Sequence, residues 1–300
     1  MERLPNSRTN IRAAVAADIP QIYDIWYANE VGIDPDPPRR GVPALIEHEL
    51  ATGEIVVAEQ EGRLVGFASV IVRGAVAFLA ECFVRAEVRS GGVGRQLVQQ
   101  LLPRAGLTSC TLSSTDPRAL ALYIRAGMRP QWPNFCLQAE AARFNHLTDS
   151  RIEVVESLAG DPALVEWDTQ IAGRRRPEDH AYWLGPTRAR SLWFRRDGAR
   201  IGYGYAQAYS LEDLWHPDAI TLGPIGTHNP ADAQACTLAA VRWASQHSEL
   251  VRITVPGPHA ALPALLEAGF QITYVETFVS TSNEPFADMR CYIPSGSTLF

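Results

Sequence analysis

The chain has 300 residues, 46% of them hydrophobic and 20% charged. That suffices for two cores of about 150 residues each and excludes wholesale disorder. All 27 basic residues are Arg, since the sequence has no Lys. Schiff-base, pyridoxal-phosphate, Walker A and kinase-lysine chemistry are therefore excluded.

In chain order, residues 11–14 read as a short strand. Asp18 reads as the N-cap of a helix, with Pro20 in its first turn and Ile19, Ile22, Tyr23 and Trp26 at helical spacing. Residues 32–41, rich in Pro and Gly, are a loop. A second helix is expected over 43–51, then strands over 55–59 and 64–72 around a Glu61-Gly62 turn, and a long strand over 75–84. A helix over 92–102, a strand over 108–112, a helix over 116–126 and a strand over 132–138 complete the first half. The second half repeats this order. Residues 152–155 answer 11–14, and the turn Asp197-Gly198 lies 136 residues after Glu61-Gly62. Ile201-Gly202-Tyr203 matches Val65-Gly66-Phe67 at the same offset, and Ala268-Gly269-Phe270 matches Ala126-Gly127-Met128 at 142. Helices are expected over 230–245 and 258–267. The order implies an internal duplication, with units 1–145 and 146–300 joined through the polar stretch 140–149.

No apolar run approaches the roughly 18 residues of a membrane span. The opening Met1–Asn10 is polar, with no apolar stretch after it, so no leader is expected and the expected compartment is the cytoplasm. A net charge of −6 predicts no nucleic-acid partner and tolerates cationic substrates. Cys82, Cys110, Cys136, Cys236 and Cys291 show no C-x-x-C spacing and read as free thiols, and the scattered histidines form no metal pattern. The run Arg174–Arg176 reads as a solvated loop, and the tryptophans at 183 and 193 as core; a shared cleft lined by both is the alternative.

The most informative segment is RSGGVGR, Arg89 to Arg95, between a strand and an amphipathic helix. Glycines let backbone amides converge, and a helix N-terminus adds positive dipole, so the loop reads as a phosphate or pyrophosphate nest. A Rossmann loop needs a third glycine where position 97 is Leu, and a P-loop needs a lysine. A tight turn before an ordinary helix is the plain alternative. In the second half the same place reads 220–230, ITLGPIGTHNP, without Arg; Asn229 is the expected cap and Pro230 has no N–H to offer.

Arg89-Ser90-Gly91-Gly92-Val93-Gly94 resembles the first signature of the GCN5-related N-acetyltransferase (GNAT) family. Leu122-Tyr123, three residues, Gly127-Met128 resembles its second, with Met for Phe. The resemblance covers roughly residues 10–139. It implies two tandem GNAT domains, each a mixed twisted sheet flanked by helices, an α/β (α+β) class. It implies acetyl-CoA as cosubstrate in a splay between two strands, with pantetheine beside Phe83 and Val84 and pyrophosphate on Arg89, Ser90, Gly91, Gly92, Val93, Gly94 and Arg95. Asp116 stands where the family often has Asn. Tyr123 is the implied acid for the leaving thiolate, though packing on a buried helix face is the ordinary role of such a residue. Glu81 is the implied base, with a solvent-facing carboxylate or a water chain as the alternatives. Asp34 and Asp36 fall where relatives contact the acceptor, or in a solvated loop. Four residues before Gly269, where the first half has Tyr123, stands Leu265. The expected function is acetyl transfer in the first domain from acetyl-CoA to a primary amine of a small molecule, without a metal, by a monomer or homodimer. A non-catalytic CoA-binding sensor or regulatory protein is the alternative.

Overall fold

The computed structural model describes residues 9–30, 41–144, 151–158, 160–208, 219–297 and 299–300. Residues 32–40 of the expected loop, with Asp34 and Asp36, and residues 145–149 of the junction lie outside them. The first half runs β1 (Asn10–Ala13), α1 (Ile19–Glu30), α2 (Ala44–Thr52), β2 (Glu54–Gln60), β3 (Arg63–Arg73), β4 (Val76–Val84), α3 (Val93–Leu101), β5 (Thr108–Ser113), α4 (Pro117–Arg125) and β6 (Arg129–Glu140). The second runs β7 (Glu153–Glu156), α5 (Pro162–Ile171), α6 (Pro177–Leu184), β8 (Arg190–Arg196), β9 (Ala199–Gln207), β10 (Ala219–Thr227), α7 (Pro230–Ser245), β11 (Leu250–Pro256), α8 (Ala261–Glu267), β12 (Gln271–Ser280) and β13 (Tyr292–Ile293).

Local chemistry explains most of these limits. Asp116 and Asn229 cap α4 and α7, accepting from the N–H of Arg118 at 2.9 Å and of Ala231 at 3.0 Å. Alternation along β2 sends Ile55 and Val57 to α1 and α2 on one face, and Val56 and Ala58 to α3 on the other. Asp18 departs from its expected role. It ends a short 3₁₀ turn, Ala16–Asp18, and its carboxylate accepts from the Val15 N–H at 2.9 Å and pairs with Arg12 at 2.7 Å. It thus closes the entry to α1 from inside the first turn. The 220–227 stretch, read as a counterpart of the glycine loop, is the strand β10. Only two residues link it to α7.

All strands of the described residues join one sheet, ordered β1-β2-β3-β4-β5-β12-β6-β11-β10-β9-β8-β7, with β13 on β10. The last long strands of the two halves are exchanged. β12 pairs with β5 of the first half, and β6 pairs with β11 of the second. In the central β6–β12 ladder Trp132 faces Phe278, Pro133 faces Thr277, Asn134 faces Glu276, Phe135 faces Val275 and Cys136 faces Tyr274. Adding the repeat offset of 142 to one member of each pair generates another pair of the same ladder. Asn134 opposite Glu276 is its own image, so the dyad of the duplication passes between them.

The halves also share a core. Val76, Phe78 and Cys110 pack with Trp183, Trp193, Tyr203, Tyr205 and Phe300. Arg73 of β3 pairs with Asp179 of α6 at 2.7 Å, and His48 of α2 reaches the same carboxylate at 3.0 Å. The arginine run is no solvated loop, for Arg174 and Arg176 are buried. Arg176 is held by Asp168 at 2.6 Å and by the Tyr292 hydroxyl at 2.6 Å, which satisfies a charge that burial would otherwise make very costly.

Candidate functional site

β4 pairs with β5 over only three residues, Val76–Thr108, Ala77–Ser109 and Phe78–Cys110. Beyond Phe78, among the described residues, no strand covers the β5-facing side of β4. A bulge accompanies the parting: Ser69 faces Glu81 while Val70 faces Leu79, leaving Ala80 as the extra residue. Glu81, Cys82, Phe83 and Val84 lie beyond the bulge, along the opening.

The opening leads to the glycine loop. Ser90 (φ 65) and Gly92 (φ 88) hold the left-handed conformations that turn the chain into α3. The Gln96 N–H makes the first bond back along the helix, to the Gly92 carbonyl at 3.1 Å. The amides of Val93, Gly94 and Arg95 therefore have no helical acceptor, and the first turn of α3 carries no acidic residue. A side chain at Gly92 would meet no protein atom within 4 Å; the space over the loop is open. Arg89 reaches across to the Asn29 carboxamide of α1 at 2.6 Å, Ser90 and Arg95 are exposed, and Asp116 lies close enough to feel the Arg89 charge. The loop and both arginines thus lie together at one mouth of the splay. Asp116 is engaged as the α4 cap and in a 2.8 Å pair with Arg118.

At the middle of the splay Tyr123 and Cys82 pack together on the α3 side of β4, while Glu81 points to the face that α1 and α2 cover, close enough for its charge to act on the phenol. Tyr123 is 7% exposed; burial, then Cys82 and Glu81, push its pKa well above 10, so it is a neutral phenol, able to donate at every ordinary pH. Glu81 is 6% exposed rather than solvent-facing. Its pKa is raised well above 4.5 by burial first, then by Glu49, Glu30 and Glu276, while the Trp26 side chain opposes the shift. Glu49 of α2 is buried beside it, and burial lifts its carboxyl to about 8, with the Ser69 hydroxyl acting the other way. That hydroxyl faces Glu49 too loosely to bond it: Ser69 Oγ and both Glu49 oxygens are buried without a hydrogen-bond partner. Sequence reasoning missed Glu49 and Glu276, whose only signal was an acid on a helix face and another on a strand, as unremarkable as most.

The second half departs from this arrangement at each point. Gly127 (φ 94) and Gly269 (φ 102) end α4 and α8 alike. The next N–H returns to the carbonyl of Tyr123 in one and of Leu265 in the other, at 3.1 Å in both. Leu265 thus holds the place of Tyr123. Phe83 faces Phe67 as Gly226 faces Tyr203, and stepping back two residues sets Pro224 where the first half has Glu81. At offset 136, Tyr205 replaces Ser69, and its hydroxyl is 2.7 Å from buried His180. The first turn of α7 holds Pro230 and the acid Asp232. β13 pairs with β10 at Ile225–Ile293 and Gly226–Tyr292, along a stretch matching the uncovered edge of β4.

Residues 19–128 match the family model described as the acetyltransferase (GNAT) family. That segment belongs to the GNAT family. Solved structures extend the GNAT fold over the whole chain. A candidate acetyltransferase of Pyrococcus horikoshii superposes with a TM-score of 0.74 at 16% identity, over 100% of this chain and 99% of that one. A tandem GNAT protein from the clavulanic acid biosynthesis pathway gives 0.61 at 16% identity, over 93% and 99%. A GCN5-related N-acetyltransferase of Sphaerobacter thermophilus gives 0.60 at 16% identity, over 95% and 98%. No curated protein matches by sequence. The chain is thus two tandem GNAT folds. No helix of the described residues is long and apolar enough to cross a membrane.

Proposed function

We propose that the chain moves an acetyl group from acetyl-CoA to a primary amine of a small molecule, at one site in the first of two units, 1–145 and 146–300. The observation that carries this reading is the conjunction at β4: an uncovered strand edge, orphan amides at one end and a buried phenol and carboxyl at its middle. Pantetheine pairs along Phe83 and Val84. Its pyrophosphate rests on the amides from Arg89 to Arg95, with Asp116 holding the neighbouring helix start. The reaction needs a neutral amine, a donor for the carbonyl oxygen and a proton for sulfur. Glu81 takes the amine proton, and a cationic acceptor makes that easier, because an ammonium beside Glu81 offsets the acids around it. The nitrogen then bonds the acetyl carbon while a β4 amide near Val84 holds the oxygen, and the C–S bond breaks. Tyr123 supplies the sulfur's proton and regains one from solvent. No metal enters this scheme. The second unit keeps the fold and supports the first; the protein works in the cytoplasm as a monomer or homodimer.

The direct test is free-thiol release from acetyl-CoA across a panel of small amines, with product mass checked for one added acetyl group. Acetyl-CoA binding without thiol release for any amine overturns the reading in favour of a sensor.

A further inference from the structure

We infer that Arg174 holds one chloride ion in a small cavity at the seam of the two halves, and that this ion completes the charge balance of their shared core. The inference is independent of the acetyl-transfer reading.

Three guanidiniums are buried among the described residues, those of Arg73, Arg174 and Arg176. Two buried carboxylates answer them. Asp179 takes Arg73 at 2.7 Å and His48 at 3.0 Å. Asp168 takes Arg176 at 2.6 Å and also accepts from the Tyr203 hydroxyl. Glu178 approaches Arg73 at 3.9 Å, but it is half exposed and screened by solvent. Arg174 is left over. Its Nη1 donates to the Ala172 carbonyl at 3.0 Å, and no carboxylate among the described residues pairs with it. Burial first, and then Arg176, push its pKa down, yet a guanidinium keeps its proton at any ordinary pH. The Phe286 ring, 4.5 Å from the guanidinium carbon, offsets part of that cost. A buried charge without an opposite charge remains expensive.

The second observation is spatial. Arg174, 6% exposed, lines a cavity with Arg73, Val76, Phe78, Asp179 and Phe300. Its Nε and Nη2 make no hydrogen bond and are not sealed by protein, so part of the guanidinium opens on this space. The cavity holds about 10 Å³ of free space, room for one water-sized sphere. Sulfate, phosphate and carboxylate ligands are too large for it. A chloride ion is only slightly larger than water, and it brings the negative charge that water lacks. A side chain at Gly74 would lie 3.5 Å from the Arg174 Cβ, so Arg174 packs on the turn between β3 and β4. Val76 and Phe78 are paired with β5 just before those strands part. The ion thus braces the root of the splay from the second half.

The test is thermal melting of the full chain in sodium chloride and in sodium gluconate, whose anion is too large for the cavity, at one total ionic strength. The melting temperature is expected to rise by about 5 °C as chloride goes from about 1 to about 100 mM, for a dissociation constant of about 1 mM. Arg174→Met, which keeps an apolar stem and removes the charge, is expected to melt at the same temperature in both salts. A crystal soaked in sodium bromide is expected to show an anomalous peak within hydrogen-bond reach of Arg174. Equal wild-type melts in the two salts overturn the inference, because water or the chain's own groups then suffice. So does a chloride effect that survives in folded Arg174→Met, which places the ion elsewhere. A bromide peak at Arg174 without any effect on the melt is an adventitious ion only and overturns it as well. If Arg174→Met fails to fold, the wild-type melts and the bromide peak decide.

Discussion

Tyr123 and Glu81 are both buried, one on each face of β4, and burial raises the pKa of both. A phenol has a pKa of about 10 and a thiol about 8.5, so full proton transfer to sulfur is uphill by roughly 2 kcal/mol before burial acts. In the proposed reaction Tyr123 helps late, as the C–S bond breaks, and Tyr123→Phe is expected to lower kcat and kcat/KM together, by about 10²-fold. Acetyl-CoA affinity by calorimetry stays within twofold; unchanged turnover assigns the ring to packing. Gly92 makes a different demand. Its φ of 88 costs a β-branched residue about 1–3 kcal/mol, and in the proposed complex the added atoms crowd the close approach of the loop backbone to phosphate. Gly92→Val is expected to leave a folded protein that binds acetyl-CoA more than 100-fold more weakly. Glu49 sets a pH dependence. Its carboxyl stands at about 8 against an ordinary 4.5, so the native state holds this proton more tightly than the unfolded chain. The stability linked to it is fully present below pH 4.5 and is lost as pH rises through about 8. The melting temperature is expected to fall between pH 5 and pH 8.5. Glu49→Gln, neutral throughout, flattens that fall and melts roughly 3–6 °C above the wild type at pH 8.5. Equal slopes in the two proteins refute this.

At the scale of elements, two helix starts that look alike in outline have opposite chemistry. α3 opens with glycines, orphan amides and no acid; α7 opens with a side-chain cap, a proline and Asp232. An anion is attracted to the first and repelled from the second. The strand edges differ in the same sense, because β13 pairs with β10 where β4 stays uncovered. Acetyl-CoA is accordingly expected to bind with a stoichiometry of one per chain, and calorimetry showing two equal sites contradicts this. The sequence made the first contrast legible, since Gly, Pro and Asn report directly on backbone amides. It did not make the second legible, since nothing in Tyr292-Ile293 names β10 as its neighbour.

At the scale of the molecule, the strand exchange makes the two repeats interdependent. The first repeat without the second lacks β12 beside β5 and β11 beside β6, exposing two long strand edges, among them the apolar 132–137. It also loses the walls of the shared core around Phe78 and leaves Arg73 and His48 without Asp179. Residues 1–149 expressed alone are expected to aggregate or to bind acetyl-CoA poorly. A soluble, stable monomer with full affinity and undiminished acetyl transfer would sink that expectation.

What the sequence determined by itself is what short-range chemistry encodes. Helical spacing, turn glycines and capping residues placed the elements of the first half and the helices over 230–245 and 258–267 of the second, but not α5, α6 or the strands after β9; matching turns at offsets of 136 and 142 residues pointed to the duplication. Only the tertiary structure decided which strands become neighbours between the halves, because those partners lie more than a hundred residues apart and any apolar, alternating strand can occupy a given slot. The exchange of β6 and β12, the meeting of Glu49, Glu81 and Glu276, the burial of Arg174 and Arg176, and the recognition of Pro224 as the counterpart of Glu81 all follow from that choice of neighbours. A carboxylate's role is set by what surrounds it, and the surroundings here are assembled from both halves of the chain.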